Sequence, residues 1–251
     1  MISALLDLHD IVMPLMTSSF VVFLRISGLM LLVPGLGDRL IPMRIRLVIA
    51  GALTVAVAPG LAPGPEITWP LALTEITIGL AFGAVLRILA QALMVAGVMA
   101  AQLTSLSQLF GTVEPSSAIG NLLNLAGLCL LMAAGLPSYI VEMLIRSYDV
   151  IPVGSIMPGA DVVTWGVARM GHAFALAFAL AAPFALAALL YNIAMGVVNR
   201  AMPQLMVALV GAPAITGASG VILLLAAPVM LLAWKGAMVA LLQDPFGGLL
   251  P

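Results

Sequence analysis

Charged residues are scarce in this sequence. They make up only 8% of its 251 residues, and nine Lys and Arg against ten Asp and Glu give a net charge of −1. Because binding to nucleic-acid phosphates requires clustered Lys and Arg side chains, nucleic acid is excluded as a partner. Hydrophobic residues instead account for 63% of the chain, and the mean hydropathy is +1.24. This composition is too apolar for a water-soluble globule and indicates a membrane protein.

Residues that carry out catalysis are equally scarce. Cys129 is the only cysteine, so no disulfide can form within the chain. His9 and His172 are the only histidines, and neither belongs to an H-E-x-x-H zinc motif. The sequence also lacks a glycine-rich phosphate loop that ends in lysine, and residues 217–220 lack the full spacing of a nucleophile elbow. We therefore expect no enzymatic activity, no metal and no cofactor.

Long apolar runs dominate what is present. About 20 apolar residues are enough to cross the hydrocarbon of a bilayer, and four runs reach that length: residues 11–33, 71–101, 172–198 and 205–233. The run 71–101 is longer than one crossing needs, so it fits either one tilted helix or two broken ones. The first run is expected to be retained, because Asp7 and Asp10 precede it instead of the basic residues of a signal peptide. The connection after it favours the cytoplasmic side because of its arginines, Arg39, Arg44 and Arg46.

Proline, glycine and polar residues divide these runs. Such residues end or bend helices, and they mark connections at residues 59–65, 104–117, 147–161 and 198–205. We expect an extramembrane loop at 147–161 and a loose tail at 243–248. The polar segment 104–117 forms a pore lining or a plug if it lies at membrane depth, and it is an ordinary connection if it lies outside.

Some charged side chains nevertheless lie inside the apolar runs: Arg25, Glu75, Arg87 and Arg200. A charge in an apolar helix costs free energy unless protein groups or water satisfy it. Arg25 is therefore expected either to face protein or to extend its side chain to the membrane interface.

Two pairs of residues at helical spacing predict contacts. Gly79 and Gly83 form a small-xxx-small pair, which lets another helix backbone approach closely, unless the two glycines are incidental. Glu142 and Arg146 are four residues apart on one helical face, so their charges can neutralise each other.

Several short blocks of the sequence form a set that runs across nearly the whole chain. The blocks are residues 23–28, Pro34, 41–46, 75–83, Gln102, Glu114 with Pro115, 147–148, 151–154, 199–205 and 211–213. Taken together, they resemble the FliR/SctT family of type III secretion export-gate subunits. They run in family order, and the block 199–205 is the most specific. Two features depart from the family pattern: Glu114 and Pro115 follow a slightly longer central loop, and Gly135 is followed by Leu136 instead of histidine.

The resemblance implies one all-α domain over residues 1–251. Its fold would be polytopic and membrane-type, with stacked helical hairpins broken by Pro and Gly inside a hetero-oligomeric helical assembly. The expected partners are FliP-like and FliQ-like export-gate subunits, FlhB-like and FlhA-like proteins, and unfolded secreted proteins. The expected location is the bacterial inner membrane, in the flagellar basal body.

The resemblance also assigns roles to residues. It implies a plug or gate formed by Gln102, Leu106, Leu109, Phe110, Glu114 and Pro115, in which the leucines and Phe110 seal the path. It implies contacts with other subunits at Arg25, Pro42, Arg44, Glu75, Gly79, Gly83, Asn199, Arg200, Pro203 and Gln204.

Three other functions remain open at this point. The same blocks occur in subunits of the virulence injectisome. A stand-alone secondary transporter would use broken helices and a midplane substrate site formed by Arg25, Glu75 or Arg200. A purely structural scaffold would lack a conducting path.

Overall fold

The computed structural model describes residues 2–38, 41–60, 67–103, 116–155, 158–201 and 207–247. These residues form an all-α fold without β-strands. A 3₁₀ turn, Ala58–Gly60, follows the second helix. The helices are α1 (Ile2–Leu32), α2 (Met43–Val57), α3 (Trp69–Leu103), α4 (Ser116–Ala133), α5 (Leu136–Val150), α6 (Gly159–Ala201) and α7 (Val207–Gln243).

The described helices have the lengths and composition of a polytopic membrane protein. Four of them contain a span that is long and apolar enough to cross a bilayer: Val12–Leu32, Trp69–Leu103, Gly159–Ala201 and Gly217–Gln243. The pair α4 and α5, bent by 72° at the break between them, counts as a fifth if the pair forms one span. The apolar run 71–101, which fits one helix or two from its sequence, lies within one continuous 35-residue helix.

The chain folds into two compact units, each assembled from segments that are distant in the sequence. Unit 1 consists of Met1–Ile88, Ala134–Arg169 and Val239–Pro251, and unit 2 consists of Leu89–Ala133 and Met170–Met238. The single domain implied by the resemblance stays a prediction.

Unit 1 is built on a close contact between the backbones of α1 and α3. A Cβ atom added at Gly79 would lie 1.9 Å from the carbonyl oxygen of Arg25, and one added at Gly28 would lie 2.3 Å from that of Ile76. At Gly83 the corresponding distance to the carbonyl oxygen of Leu29 is 2.8 Å. Only glycine fits at such distances, so Gly79 and Gly83 are not incidental. Their close partner is α1 of the same chain.

The C-terminal tail is also part of unit 1, so the expectation that it is loose is wrong. Phe246 is only 5% exposed, and its ring centroid lies 5.4 Å from that of Phe82 in an edge-to-face arrangement. The indole Nε1 of Trp165 donates to the carbonyl of Pro245 at 2.9 Å, and Arg169 Nη2 donates to the carbonyls of Pro245 at 3.2 Å and Gly247 at 2.8 Å. These donors fix the tail because they satisfy carbonyls that follow the last turn of α7.

Unit 2 contains a fully buried tryptophan, Trp234 of α7. Its indole Nε1 donates to the carbonyl of Leu89 in α3 at 2.9 Å, which satisfies the one polar atom of the side chain. Its ring packs over Gly127 of α4, where an added Cβ would lie 3.1 Å from Trp234 Cζ3. The side chain therefore joins three helices of unit 2.

Replacing Gly79 with alanine tests the backbone contact between α1 and α3. The added methyl group meets backbone, which cannot rotate away, so we expect Gly79→Ala to destabilise the chain by about 1–3 kcal/mol or more. The matched control is Gly171→Ala in α6, where an added Cβ meets nothing within 4 Å. Alanine should stabilise that exposed helical position by about 0.5–1 kcal/mol. Thermal unfolding midpoints in detergent measure both changes. A Gly79→Ala midpoint equal to that of the wild type would contradict the observed packing.

Candidate functional site

An ion pair lies at the centre of unit 1. Arg25 of α1 and Glu75 of α3 are both 0% exposed, and Arg25 Nε donates to Glu75 Oε2 at 2.7 Å. The α1–α3 contact at Gly79, one turn from Glu75, brings the two helices close enough for this short charge-assisted bond. The expectation that Arg25 faces protein is confirmed.

The other donors of Arg25 are directed at α5 and at the turn that follows it. Nη1 donates to Ser147 Oγ at 2.9 Å, and Nη2 donates to the carbonyl oxygen of Ile151 at 3.1 Å. The guanidinium carbon lies 3.7 Å from the centroid of the Tyr148 ring, which adds a cation–π contact. One side chain of α1 thereby contacts α3, α5 and the residue after α5.

Glu75 completes the network from the opposite side. Its Oε1 accepts a hydrogen bond from the backbone N–H of Gly154 at 3.0 Å. Gly154 has a φ of +74°, a conformation that glycine adopts without steric cost. The turn after α5 is therefore attached to the ion pair by a carbonyl at Ile151 and by an N–H at Gly154. The loop predicted at 147–161 is shorter than expected, since α5 extends to Val150 and α6 begins at Gly159.

The chemistry of this cluster is structural. An unpaired buried charge costs several kcal/mol, whereas here each charge has its counterion and further hydrogen bonds. Neither Arg25 nor Glu75 has exposed surface with which to bind a solute, so the cluster does not provide the midplane substrate site of the transporter hypothesis. Within the described ranges, no group of three His, Cys, Asp or Glu side chains could hold a metal ion.

The predicted plug falls almost entirely outside the described residues. Gln102 lies in the last turn of α3 and is exposed. The remaining members lie outside the described ranges: Leu106, Leu109, Phe110, Glu114 and Pro115.

The residues predicted to contact other subunits divide into three groups. The first group has observed partners within the same chain, and its contacts with other subunits stay a prediction: Arg25, Glu75, Gly79 and Gly83. The second group is exposed and is available for contacts: Pro42, Arg44, Asn199 and Arg200. The third group, Pro203 and Gln204, lies outside the described residues.

Two further ion pairs lie at the surface of unit 1. Arg87 is half-buried, and its Nη1 lies 3.4 Å from Asp38 Oδ1. The predicted pairing of Glu142 with Arg146 is confirmed, with Arg146 Nη2 2.6 Å from Glu142 Oε1. Arg146 Nη1 also donates to the carbonyl of Gln243, at the end of α7, at 2.7 Å.

Sequence reasoning missed the partners of the ion pair in and after α5: Ser147, Tyr148, Ile151 and Gly154. Ser147 and Ile151, which accept hydrogen bonds from Arg25, follow it by 122 and 126 residues in the sequence. No local pattern therefore connects them. The available signal was the presence of both segments, 147–148 and 151–154, among the blocks shared with the export-gate family.

Removing one member of the ion pair should destabilise the fold more than removing both members. Glu75→Leu leaves a buried guanidinium without its counterion, and we expect a loss of about 3–5 kcal/mol. In Arg25→Met/Glu75→Leu no buried charge remains, so the double variant should unfold at a higher temperature than Glu75→Leu alone. Thermal unfolding in detergent gives the ranking, and a double variant less stable than Glu75→Leu would contradict it.

Tyr148→Phe is the matched control for this series. The Tyr148 hydroxyl is buried and has no hydrogen-bond partner in the described part of the chain, whereas its ring faces Arg25. Phenylalanine keeps the ring and removes the unpaired hydroxyl. We therefore expect the unfolding midpoint of Tyr148→Phe to equal or exceed that of the wild type.

Comparison with known proteins supports what the fold and the residue blocks indicate. Three relatives named flagellar biosynthetic protein FliR are similar over most of their length. The relative from Caulobacter vibrioides is 33% identical over 203 residues, which cover 76% of this chain and 81% of the relative. The relative from Aquifex aeolicus is 31% identical over 217 residues, which cover 83% of this chain and 84% of the relative. That from Escherichia coli is 27% identical over 203 residues, covering 76% of each chain.

The family match extends over nearly the entire chain. Residues 16–241 match the family described as bacterial export proteins, family 1. This range includes both members of the buried ion pair and every helix from α2 to α6. The chain therefore belongs to the bacterial export proteins, family 1, and within it to the family of the flagellar biosynthetic protein FliR.

Proposed function

We propose that this protein is a structural and gating subunit of the flagellar type III export gate, in the bacterial inner membrane. It would help to form the conduit through which unfolded flagellar proteins are secreted. Family membership supports the export role, and the names of the relatives support a flagellar over an injectisome assignment. The observation that carries the proposal is the length of the exposed apolar surface on α6.

The exposed apolar side chains of α6 extend further than lipid can cover. Val163 is 65% exposed, Leu190 is 69% exposed and Val197 is 65% exposed. At about 1.5 Å per residue, the distance from Val163 to Val197 is roughly 51 Å, whereas the hydrocarbon core is about 30 Å thick. Apolar surface beyond the bilayer would face water unless other protein covers it, and large exposed apolar surfaces mark protein interfaces.

Helix α7 also exposes large apolar side chains, among them Leu224 and Leu225. We infer that the neighbours are FliP-like and FliQ-like subunits, with FlhB-like and FlhA-like proteins beside them, as the family resemblance implies. An assembly fits a chain whose buried ion pair is already satisfied internally, because its helices can then present mostly apolar surfaces to partners.

The gating part of the proposal concerns residues 102–115. Leu106, Leu109 and Phe110 would form an apolar ring that excludes water and ions, and Gln102 with Glu114 and Pro115 would hold the ends of the loop. A narrow apolar constriction blocks ions because it dewets. The 16 methionines of the chain suit a conduit for varied unfolded segments, since flexible thioether side chains adapt to many shapes.

A tryptophan scan along α6 tests the subunit interface. Single replacements at Val163, Val167, Phe174, Leu190 and Val197 enlarge an exposed apolar side chain. Lipid accommodates the larger ring, whereas a packed protein contact does not, and a cost of about 1.4 kcal/mol there should lower partner recovery about tenfold. The measurement is the amount of FliP-like and FliQ-like protein that co-purifies, with the membrane-inserted amount of this chain as control. Full recovery at all five positions would refute the interface.

Replacing the proposed ring tests the gate. Leu109→Gly/Phe110→Gly removes both apolar side chains, so we expect the assembled complex to conduct small ions across the inner membrane. The matched control, Leu109→Met/Phe110→Leu, keeps the ring apolar and should stay closed. Dissipation of an imposed ion gradient in cells measures the difference, and a glycine variant as tight as the control would argue against a plug in this segment.

A further inference from the structure

Helix α7 carries a single charged side chain, Lys235, inside a long apolar stretch. Apart from this lysine, residues 220–242 consist of apolar residues, glycine and proline. Ser219 lies 16 residues before Lys235 and Gln243 lies eight residues after it, so about 12 Å of helix separates the lysine from the nearer of these polar residues. An ammonium group in such surroundings costs free energy unless a counter-charge or hydrogen-bond acceptors satisfy it.

The described part of the chain provides no partner for this ammonium group. Lys235 is half-buried and makes no ion pair or hydrogen bond with any described residue. The residue before it, Trp234, is fully buried and bonded to α3, which fixes this turn of α7 within unit 2. The sequence of unit 2 contains one carboxylate, Glu114, which lies outside the described residues. Lys235 therefore differs from Arg25 and Glu75, which neutralise each other.

The residues around Lys235 determine what can cover it. Leu232, about one turn earlier, is 61% exposed, and Gly236 is open, since an added Cβ there would meet nothing within 4 Å. If water covered this face, Leu232 would stay exposed to it, and if lipid tails covered it, the ammonium would lack a counter-charge. The Cα–Cβ bond of a helical residue is tilted toward the helix N-terminus, so the lysine side chain starts away from Gln243 and from headgroups at that end. A helix of another protein that carries a carboxylate satisfies both the leucine and the ammonium.

We propose that Lys235 forms an ion pair with an Asp or Glu side chain on an apolar helix of a neighbouring subunit. This proposal rests on the export-gate assembly proposed above and specifies the chemistry of one of its contacts. Charge complementarity supports it, because unit 2 has two cationic side chains in its sequence, Arg200 and Lys235, against one carboxylate. Such a pair also fixes the register of the two helices, since sliding or rotation would leave both charges buried without a partner.

Zero-length cross-linking of the assembled complex tests the ion pair. Lys235 is the only lysine of the chain, so its side-chain amine is a unique chemical label. An apolar carbodiimide joins an amine to a carboxylate that it contacts, and we expect an amide cross-link from Lys235 to an Asp or Glu of another subunit, located by peptide mass spectrometry. The matched control is Lys235→Arg, which keeps the charge but has no amine to cross-link. A cross-link to Glu114 of the same chain, or no cross-link in an intact complex, would overturn the proposal.

Recovery of the partner subunits measures what the charge contributes. Lys235→Met keeps a long apolar side chain but leaves the partner carboxylate without its counterion, so recovery of FliP-like and FliQ-like protein should fall about tenfold. Lys235→Arg should keep the wild-type recovery, and the membrane-inserted amount of this chain is the control for both variants. Wild-type recovery with Lys235→Met would also overturn the proposal. If the wild-type chain itself purified without these subunits, the export-gate assembly would be refuted instead, which distinguishes the two failures.

Discussion

A guanidinium and a carboxylate buried in an apolar protein must satisfy each other. Arg25 and Glu75 do so with no exposed surface, and the remaining hydrogen-bonding capacity of the pair sets the position of α5 and of the turn after it. This requirement explains why glycines occupy the crossing of α1 and α3, where the two backbones must come close. A side chain at Gly79 would separate the two helices and lengthen a 2.7 Å charge-assisted bond in a low-dielectric interior, where its loss is most costly.

The charges of this ion pair lie in the interior of the protein, whereas the outer faces of the long helices are mostly apolar. Helices α6 and α7 carry few charges, and these lie toward the helix ends: Asp161, Arg169 and Arg200 in α6 and Lys235 in α7. This surface supports the proposal that the unit of function is larger than one chain. The C-terminal tail is held by contacts within the chain. Trp165 and Arg169 donate hydrogen bonds to its carbonyls, and Phe246 packs against Phe82.

The sequence was sufficient to predict the elements that depend on local pattern. Apolar runs predicted the membrane helices, the i,i+4 spacing predicted the Glu142–Arg146 pair, and the small-xxx-small spacing predicted a close helix contact at Gly79. The partners of these features could not be predicted in the same way. Which helix approaches Gly79, and which groups surround Arg25, depend on contacts between segments 50 to 126 residues apart. The tail was misjudged because its Gly and Pro composition is typical of a loose end, whereas its order comes from distant aromatic and arginine side chains.

The spacing of the ion-pair network along the chain has a consequence for biosynthesis. In the sequence, Glu75 follows Arg25 by 50 residues, and Ser147 follows Arg25 by 122 residues. At about 5–20 residues per second, a nascent chain makes Arg25 roughly 3–10 s before its counterion and 6–24 s before the serine. During that interval the guanidinium can be stabilised only by water, lipid headgroups or the insertion machinery. We therefore expect the first helix to reach its final packing only after α3 has emerged.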